Sequence, residues 1–364
     1  MNIRKVCIDM KRKKVSLKIN DIRPGMRLAE EIRYNNLLIL PSGSLITQVL
    51  LDRLRDRYFQ QVITVYCNED VTKKDSNEIN EEKTIEKIRK NFNKISQDIE
   101  HAFNNMNSAT MIDIKEVRNF ASKIQDYLYS PSNVVKNIVL HGSGDDVIYK
   151  HSANVAALSS LLGKWIGLDE KEINLLTYAA ILHDLGKTKI DKNILNKVEA
   201  LTNKEISKLK SHPTIGYDFV KNVPYLHSSV SFGILMHHER MDGSGYPMGL
   251  KGPRIHQFGK IIAIADVFDA VNSNRVYKKR KDPFKALDTI QKESLLKLDY
   301  EYSKIFIEHI MTYYIGEKVL LNDGRIGQIL QININNLSSP LIVCNNDFID
   351  LNLEKKLCIE NLVE

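Results

Sequence analysis

The chain lacks the features of a secreted, membrane-spanning or disulfide-stabilised protein. Its 364 residues include only four cysteines, and no two of them form a Cys-x-x-Cys pair, so neither a disulfide framework nor a structural zinc site is predicted. No apolar run approaches the ~18–20 residues that a membrane-spanning helix needs. A basic run at 11–14 interrupts the N-terminus too early for the apolar segment of a signal peptide. We therefore expect a cytoplasmic protein with no membrane partner.

The chain also lacks a strong charge bias. The formal net charge is +7, which is mild and would help to attract an anionic nucleotide. No basic stripe interleaved with aromatic residues is present, so DNA binding is not predicted. The apolar content of 43% is ordinary for a globular protein, and the length allows two or three domains.

What the sequence does contain is a pair of adjacent histidines followed by a glycine-rich loop. The stretch at 237–247 reads His-His-Glu-Arg-Met-Asp-Gly-Ser-Gly-Tyr-Pro. Imidazole is the commonest nitrogen ligand for transition metals. The glycines at 243 and 245 allow positive φ and close approach of the backbone. A lone His-His pair would more often be two surface histidines before a loop, so the rest of the chain must decide.

Further histidines and two aspartates supply that context. Five of the ten histidines lie in motifs, at intervals of 32, 29, 25 and 1 residues: His151, His183, His212, His237 and His238. Such spacing suits successive helices that deliver side chains to one centre. Asp184 and Asp266 add carboxylates, which can bridge two ions, and mixed imidazole and carboxylate donors suit iron or manganese. Taken singly, each residue has a structural alternative as a core histidine, a helix cap or a buried acid.

Three more motifs accompany these residues: His-Asp-Leu-Gly-Lys at 183–187, His-Pro-Thr-Ile-Gly at 212–216 and Ile-Ala-Asp-Val-Phe-Asp-Ala at 264–270. Together with the 237–247 stretch, they resemble the HD-GYP family of metal-dependent phosphodiesterases over about 142–313. The resemblance implies two divalent ions, iron or manganese. One would be held by His151, His183, Asp184 and Asp266. Asp184 would bridge to a second ion, held by His212, His237 and His238.

The resemblance also implies an activity, the hydrolysis of cyclic di-GMP to pGpG and further to GMP by a hydroxide that bridges the two ions. Asp184 and Lys187 would be catalytic. The residues that would contact the substrate are Lys187, Gly245, Tyr246, Arg275 and Lys278. Val276 stands where the family usually has Pro, and Lys278 where Arg is common, which weakens the expectation at 278. Alternatives are a non-catalytic cyclic-dinucleotide receptor and a phosphodiesterase for another cyclic dinucleotide, such as cyclic GMP-AMP.

One departure from the family bears on the number of metals. Some members hold a third ion with a Glu placed four residues before the first histidine. In this chain Val147 occupies that position, and its side chain has no lone pair. We therefore predict two metals per chain.

The domain organisation follows from changes in pattern along the chain. Residues 1–70 predict a small α/β module with strands near 37–40 and 62–66 and a helix from 49 to 58. Residues 71–131 predict a linker and amphipathic helices, and residues 132–314 an all-helical catalytic bundle. Residues 315–364 predict a β-rich extension that starts with a hairpin around Asp323-Gly324. The pattern predicts a mainly α fold, and the resemblance implies that the bundle between the two small modules is of the HD type.

Helix boundaries in the bundle can also be predicted. Asp169 with Glu172 and Thr202 with Glu205 match the capping-box pattern at the start of a helix. Gly186 stands where a left-handed glycine would end the helix that carries His183 and Asp184.

An apolar stripe in the first long helix leaves two alternatives open. Its members recur every three or four residues: Ile85, Ile88, Phe92, Ile95 and Ile99. The stripe either packs on the catalytic bundle of the same chain or, through the helix around 85–106, forms a homodimer.

Overall fold

The computed structural model describes most of the chain beyond position 80 and parts of the segment before it. The described residues are 13–18, 22–23, 25–30, 32–34, 37–40, 44, 46, 51, 62–67, 81–108, 113–128, 131–144, 148–197, 199–273, 283–345 and 347–363. Contacts divide the chain into two units, Met1–Glu78 and Ile79–Glu364. The four-part division drawn from the sequence remains a prediction. Among the described residues, no helix combines the length and the apolar character needed to cross a bilayer.

The N-terminal unit contains two small antiparallel sheets. Strands β1 (Lys13–Lys18), β2 (Arg27–Leu28) and β5 (Val62–Cys67) pair in the order β1-β5-β2, and β3 (Ile32–Tyr34) pairs with β4 (Leu37–Leu40). Both strands predicted from apolar runs are confirmed. The helix predicted from 49 to 58 lies outside the described residues, apart from helical Leu51.

The second unit begins with a helical bundle, whose elements position every candidate ligand. The helices are α1 (Glu81–Ser108), α2 (Ile114–Tyr127), α3 (Pro131–His141), α4 (Tyr149–Trp165), α5 (Glu170–Leu182), α6 (Lys192–Leu195), α7 (Asn203–Leu209), α8 (His212–Val220), α9 (Ser228–Met236), α10 (Gln257–Ser273), α11 (Lys285–Glu293) and α12 (Tyr300–Tyr314). Short 3₁₀ turns cover Leu185–Lys189 and Gly252–Arg254.

Side-chain caps fix where two of these helices begin. Asp169 and Glu172 form a reciprocal capping box at the start of α5, and Thr202 and Glu205 form another at the start of α7. Each box satisfies two backbone N–H groups that a helix N-terminus leaves without partners. Both boxes were predicted from the sequence and are confirmed.

Helix α4 is the central element of the bundle. It packs against α1, α5 and α10, and its residues are buried without interruption from His151 to Gly163. A helix that is buried all round must be covered by neighbours on every side. The first turn of α4 carries His151, so the candidate site lies inside the bundle rather than on its surface.

The apolar stripe of α1 packs within the chain. Ile88, Phe92, Ile95 and Ile99 are each at most 3% exposed and lie against α2, α3 and α4. The side chain of Ile85 is outside the described residues. The described members of the stripe therefore support packing on the same chain, the first of the two alternatives. Homodimerisation through the helix around 85–106 remains a prediction.

A five-stranded antiparallel sheet follows the bundle. Its strands are β6 (Lys318–Leu321), β7 (Ile326–Asn333), β8 (Asn336–Cys344), β9 (Asp347–Asp350) and β10 (Ile359–Leu362), in the order β10-β6-β7-β8-β9. The predicted hairpin is confirmed as β6 and β7, and Gly324 in its turn has φ +87°. Buried residues of the sheet, such as Val319 and Ile329, belong to the same apolar core as the bundle.

Candidate metal centre

All seven residues that the sequence predicted as ligands converge in the bundle. They form two clusters, and within each the potential ligand atoms all lie within 4.8 Å of one another. The His151 group consists of His151, His183 and Asp266, and the His237 group consists of Asp184, His212, His237 and His238. These side chains come from five helices or from the ends of those helices: α4, α5, α8, α9 and α10. The spacing predicted one common centre and the resemblance implied two ions, and the structure places the seven side chains in two adjoining groups.

Asp184 belongs to the His237 group, borders the His151 group and is fully buried. Its Oδ1 is 3.3 Å from His212 Nε2 and 4.0 Å from His237 Nε2. Its Oδ2 is 3.4 Å from His183 Nε2 and 3.7 Å from His151 Nε2. One carboxylate oxygen therefore faces each group, which is the arrangement that a ligand shared by two ions requires.

Three of the histidines are oriented by the backbone. In His183, His212 and His237, ring Nδ1 lies 2.7, 2.8 and 2.6 Å from the carbonyl oxygen three residues earlier. A carbonyl only accepts, so each Nδ1 carries the hydrogen and each Nε2 presents a lone pair to the cluster. The carbonyls lie in the last turns of α5, α7 and α9, where a helix leaves its C=O groups without helical partners.

Two polar atoms at the centre fit a bound cation. Within the described structure, His183 Nε2 and Asp184 Oδ1 are buried and make no hydrogen bond. Leaving such an atom unsatisfied costs about 1–3 kcal/mol. A divalent ion in each group would satisfy the unpaired atom there, and the nitrogen and oxygen donors of the two groups, without a thiolate, suit iron or manganese. The residues present therefore fit the metal centre that the sequence implies.

The electrostatics of the site favour deprotonated ligands in the His237 group. Burial lowers the pKa of His237 well below its ordinary value and that of His238 to about 3, and neighbouring histidines act in the same direction. Burial would raise the pKa of Asp184, but the nearby imidazole of His183, the ammonium of Lys187 and the imidazole of His212 outweigh burial and hold that pKa well below the usual range. Neutral imidazoles around an ionised carboxylate are the protonation states that metal ligation needs.

His151 behaves differently because two carboxylates face it. Burial alone would lower its pKa, but hydrogen bonds to Asp266 and Asp269 outweigh the burial and raise the pKa to about 10. Its Nε2 is 3.1 Å from Asp266 Oδ1, and its Nδ1 is 2.7 Å from Asp269 Oδ2. Positive charge is thus stabilised at this point of the pocket, where a divalent cation would take the place of the proton.

Lys187 lies at the edge of the same centre. Its ammonium donates to Asp184 Oδ2 at 2.6 Å, and its side chain is 21% exposed. Burial would lower its pKa, but the charges of Asp184 and Asp266 raise it, so the side chain remains a cation. Lys187 therefore contacts the candidate centre directly through Asp184.

The structure corrects the role expected for Gly186. The sequence suggested a left-handed glycine ending the helix that carries His183 and Asp184. Instead α5 ends at Leu182, and Gly186 lies in the following 3₁₀ turn without a positive φ. A Cβ there would lie 2.0 Å from the carbonyl oxygen of His212. Glycine is needed because this turn and the start of α8 approach closely, which brings His212 to Asp184.

The glycine-rich loop folds back over the histidine pair. Buried Glu239 accepts hydrogen bonds from the backbone N–H groups of Met248 at 2.7 Å and Leu250 at 2.8 Å. A Cβ on Gly245 would lie 2.4 Å from the backbone nitrogen of Arg240, so only glycine fits. The ring of Tyr246 stacks on His238 with centroids 4.6 Å apart. Gly245 and Tyr246 thus lie beside the candidate centre, and their contact with a substrate remains a prediction.

Sequence reasoning missed three residues around the site. It assigned no role to Glu239, which holds the loop, or to Asp269, which binds His151. It also missed Lys210, whose ammonium lies 5.2 Å from the ring centroid of Tyr246. The sequence did contain a pattern that could have identified Asp269: it follows Asp266 by three positions, so the two side chains share one face of the helix.

Three sequence predictions fall outside the described residues. Arg275 and Lys278, expected to contact the substrate, lie in the segment 274–282, and Val147, expected to exclude a third metal, lies in 145–147. Their roles remain predictions.

Comparisons with known proteins agree with this geometry. The HD domain family model matches residues 137–302. A cyclic di-GMP phosphodiesterase of Pseudomonas aeruginosa is 29% identical over 231 residues, which are 64% of this chain and 56% of that protein. The 3'3'-cGAMP-specific phosphodiesterase 1 of Vibrio cholerae is 32% identical over 167 residues, 46% of this chain and 38% of that protein. The chain thus spans about half the length of these relatives or less.

A solved structure supports the fold. The HDG"Y"P protein Bd1817 from Bdellovibrio bacteriovorus aligns with a TM-score of 0.52 at 18% identity, covering 82% of this chain and 99% of that one. The His-Asp and His-His motifs and the loop through Tyr246 all lie within the residues that match the HD domain. Residues 137–302 therefore match the HD domain family, and the motifs of this region resemble those of HD-GYP proteins.

Proposed function

We propose that the chain is a metal-dependent phosphodiesterase that hydrolyses cyclic dinucleotides, with cyclic di-GMP as its substrate and pGpG as the first product. The observation that carries the proposal is the position of Asp184, which directs one oxygen to each of two adjoining groups of ligands. Two ions about 3.5–4 Å apart can stabilise the in-line hydrolysis of a phosphodiester, and a carboxylate with one oxygen directed to each ion is suited to hold them as a pair. The Pseudomonas and Vibrio relatives, by their names, support a cyclic dinucleotide as the substrate.

The proposed cofactors are two divalent ions, iron or manganese, one held by each group. Such ions supply Lewis-acid charge to a phosphoryl oxygen and make water a better nucleophile at neutral pH. Backbone carbonyls hold three histidine rings with Nε2 directed inward, so the ligands need little reorganisation. Asp184 stays ionised because cations and imidazoles surround it.

The remaining pocket residues act on the substrate. Lys187 would donate from its ammonium to a nonbridging phosphate oxygen, because it is a persistent cation beside Asp184. Tyr246 would form a wall of the pocket, because its ring covers one face of His238. The stack keeps that side of the histidine pair away from water.

Within this proposal, the two bases of the cyclic dinucleotide substrate distinguish cyclic di-GMP from 3'3'-cGAMP. One relative is named for cyclic di-GMP and another for 3'3'-cGAMP, and their identities to this chain are similar. We favour cyclic di-GMP, and the two substrates should be compared directly under identical metal loading.

The test is product analysis by ion-exchange chromatography. The purified chain, loaded with manganese or iron, is incubated with cyclic di-GMP and, separately, with 3'3'-cGAMP. We expect cyclic di-GMP to give pGpG and Asp184→Ala to abolish the reaction. Asp218→Ala is the matched control, because Asp218 is exposed and pairs only with Lys221 among the described residues. Binding without turnover by the metal-loaded wild type would instead favour a receptor, and equal turnover by Asp184→Ala would overturn the site.

A further inference from the structure

One histidine of the centre has a different support from the others. His183, His212 and His237 each donate from Nδ1 to a carbonyl three residues earlier, near the end of a helix. His151 lies in the first turn of α4, so the corresponding carbonyl is that of Ile148, which already accepts from the backbone N–H of Ser152 at 2.9 Å. The ring of His151 instead hydrogen-bonds to a side-chain acceptor.

Asp269 supplies that acceptor from the neighbouring helix α10. Its Oδ2 is 2.7 Å from His151 Nδ1, and its Oδ1 accepts from Asn154 Nδ2 at 2.8 Å. Ser273 Oγ donates to Oδ2 at 3.3 Å. Asp269 is fully buried, so its orientation is fixed by these donors and not by water. The same helix carries Asp266 one turn earlier, on the face that meets His151.

The contact determines which nitrogen of His151 is available as a donor. A carboxylate only accepts, so Nδ1 carries a hydrogen that Asp269 holds in place. Nε2 faces Asp184 and Asp266, at 3.7 and 3.1 Å from their nearest oxygens, and a bound ion would take the place of the proton on Nε2 and not of the one on Nδ1. A carboxylate partner also makes an imidazole a stronger metal ligand than a carbonyl partner does. An amide at 269 would turn an N–H group towards one of the donors that now surround the carboxylate.

We propose that Asp269 is a positioning residue for the metal centre, which fixes the tautomer and direction of His151 and so sets the affinity of the ion held by the His151 group. The inference rests on the proposed two-metal function and deepens it by making the two ions unequal. Asp269 touches no ligand of the His237 group that the structure describes, so the affinity there does not depend on it. Loss of such a partner weakens metal binding about 10–100-fold.

The test measures binding of manganese alone, independently of turnover. The metal-free chain is titrated with Mn²⁺ against a competing chelator, and electron paramagnetic resonance distinguishes a coupled pair of ions from a single one. We expect two ions per wild-type chain. Asp269→Asn should bind one ion with unchanged affinity and the second about 10–100-fold more weakly, with a single-ion spectrum at intermediate Mn²⁺.

A double variant separates positioning from general structural support. Asn154→Asp combined with Asp269→Asn keeps the net charge and the hydrogen bond between these two residues, but it moves the carboxylate away from His151. It should bind manganese as Asp269→Asn does, and it provides the same test if the single variant does not fold. Ser273→Ala removes one hydrogen bond to Asp269 without touching His151, and it should bind both ions as the wild type does.

The outcomes are distinct. Two ions bound within twofold of wild-type affinity by Asp269→Asn, or full recovery in the double variant, would overturn the positioning role while leaving the proposed function intact. An equal loss of both ions in a folded Asp269→Asn would also overturn it, because the effect would not be confined to the His151 group. A wild-type chain that binds no manganese would overturn the proposed function itself.

Discussion

Replacing Glu239 by Gln should loosen the loop over the pocket without emptying the metal centre. The carboxylate is 2% exposed, and its two oxygens accept from Met248 at 2.7 Å and Leu250 at 2.8 Å. Gln keeps one acceptor oxygen but points its NH₂ group at the other backbone N–H. One hydrogen bond to a charged group is lost, which contributes about 1.5–3 kcal/mol.

The loss should be visible in both stability and substrate binding. Urea unfolding should show the free energy of unfolding of Glu239→Gln reduced by about 1.5–3 kcal/mol. The KM for the cyclic dinucleotide should rise, because Tyr246 lies in the stretch that Glu239 fastens, whereas metal content should stay at the wild-type value. Glu308→Gln, at an exposed helical position, should change stability by less than about 0.5 kcal/mol. Wild-type stability and KM in Glu239→Gln would refute the role given to this carboxylate.

Three further substitutions test other parts of the account. Lys187→Ala should retain metal and lower turnover by about 10²–10³-fold, as expected for one aligned charge at the phosphate; an unchanged rate would exclude Lys187 from the reaction. Lys210→Ala should raise KM with little change in kcat, because its ammonium lies over Tyr246 at the pocket, and Lys208→Ala should change neither. Phe92→Glu should destabilise the chain by more than about 4 kcal/mol in thermal or urea unfolding, because it buries an unpaired carboxylate, whereas exposed Asn93→Glu should not. A folded, stable Phe92→Glu would show that the stripe is not part of the core.

The candidate ligands could be predicted from the sequence because metal chemistry restricts residue type. Only a few side chains ligate iron or manganese, and their motifs are local, so His183-Asp184 and His237-His238 are recognisable before any fold is known. The capping boxes and the Asp-Gly hairpin were predictable for the same reason, since each depends on a few adjacent residues.

Features that depend on contacts between distant segments were not predictable. Gly186 is needed because the backbone of His212 approaches it, and nothing in its neighbours along the chain indicates that approach. The partner of His151 is more than 100 positions away at Asp269. The stripe of α1 shows the same limit, because its spacing predicts an apolar face but not whether the same chain or a second copy covers it.

The most direct test of the central claim is the number and position of ions in crystals grown with manganese, measured by anomalous scattering. The account predicts two peaks about 3.5–4 Å apart, one beside each oxygen of Asp184, the first within the His151 group and the second within the His237 group. Two is expected because Val147 offers no donor to a third ion. A single peak, or peaks that do not share Asp184, would contradict the two-metal centre, and a third occupied peak would contradict the prediction made from Val147.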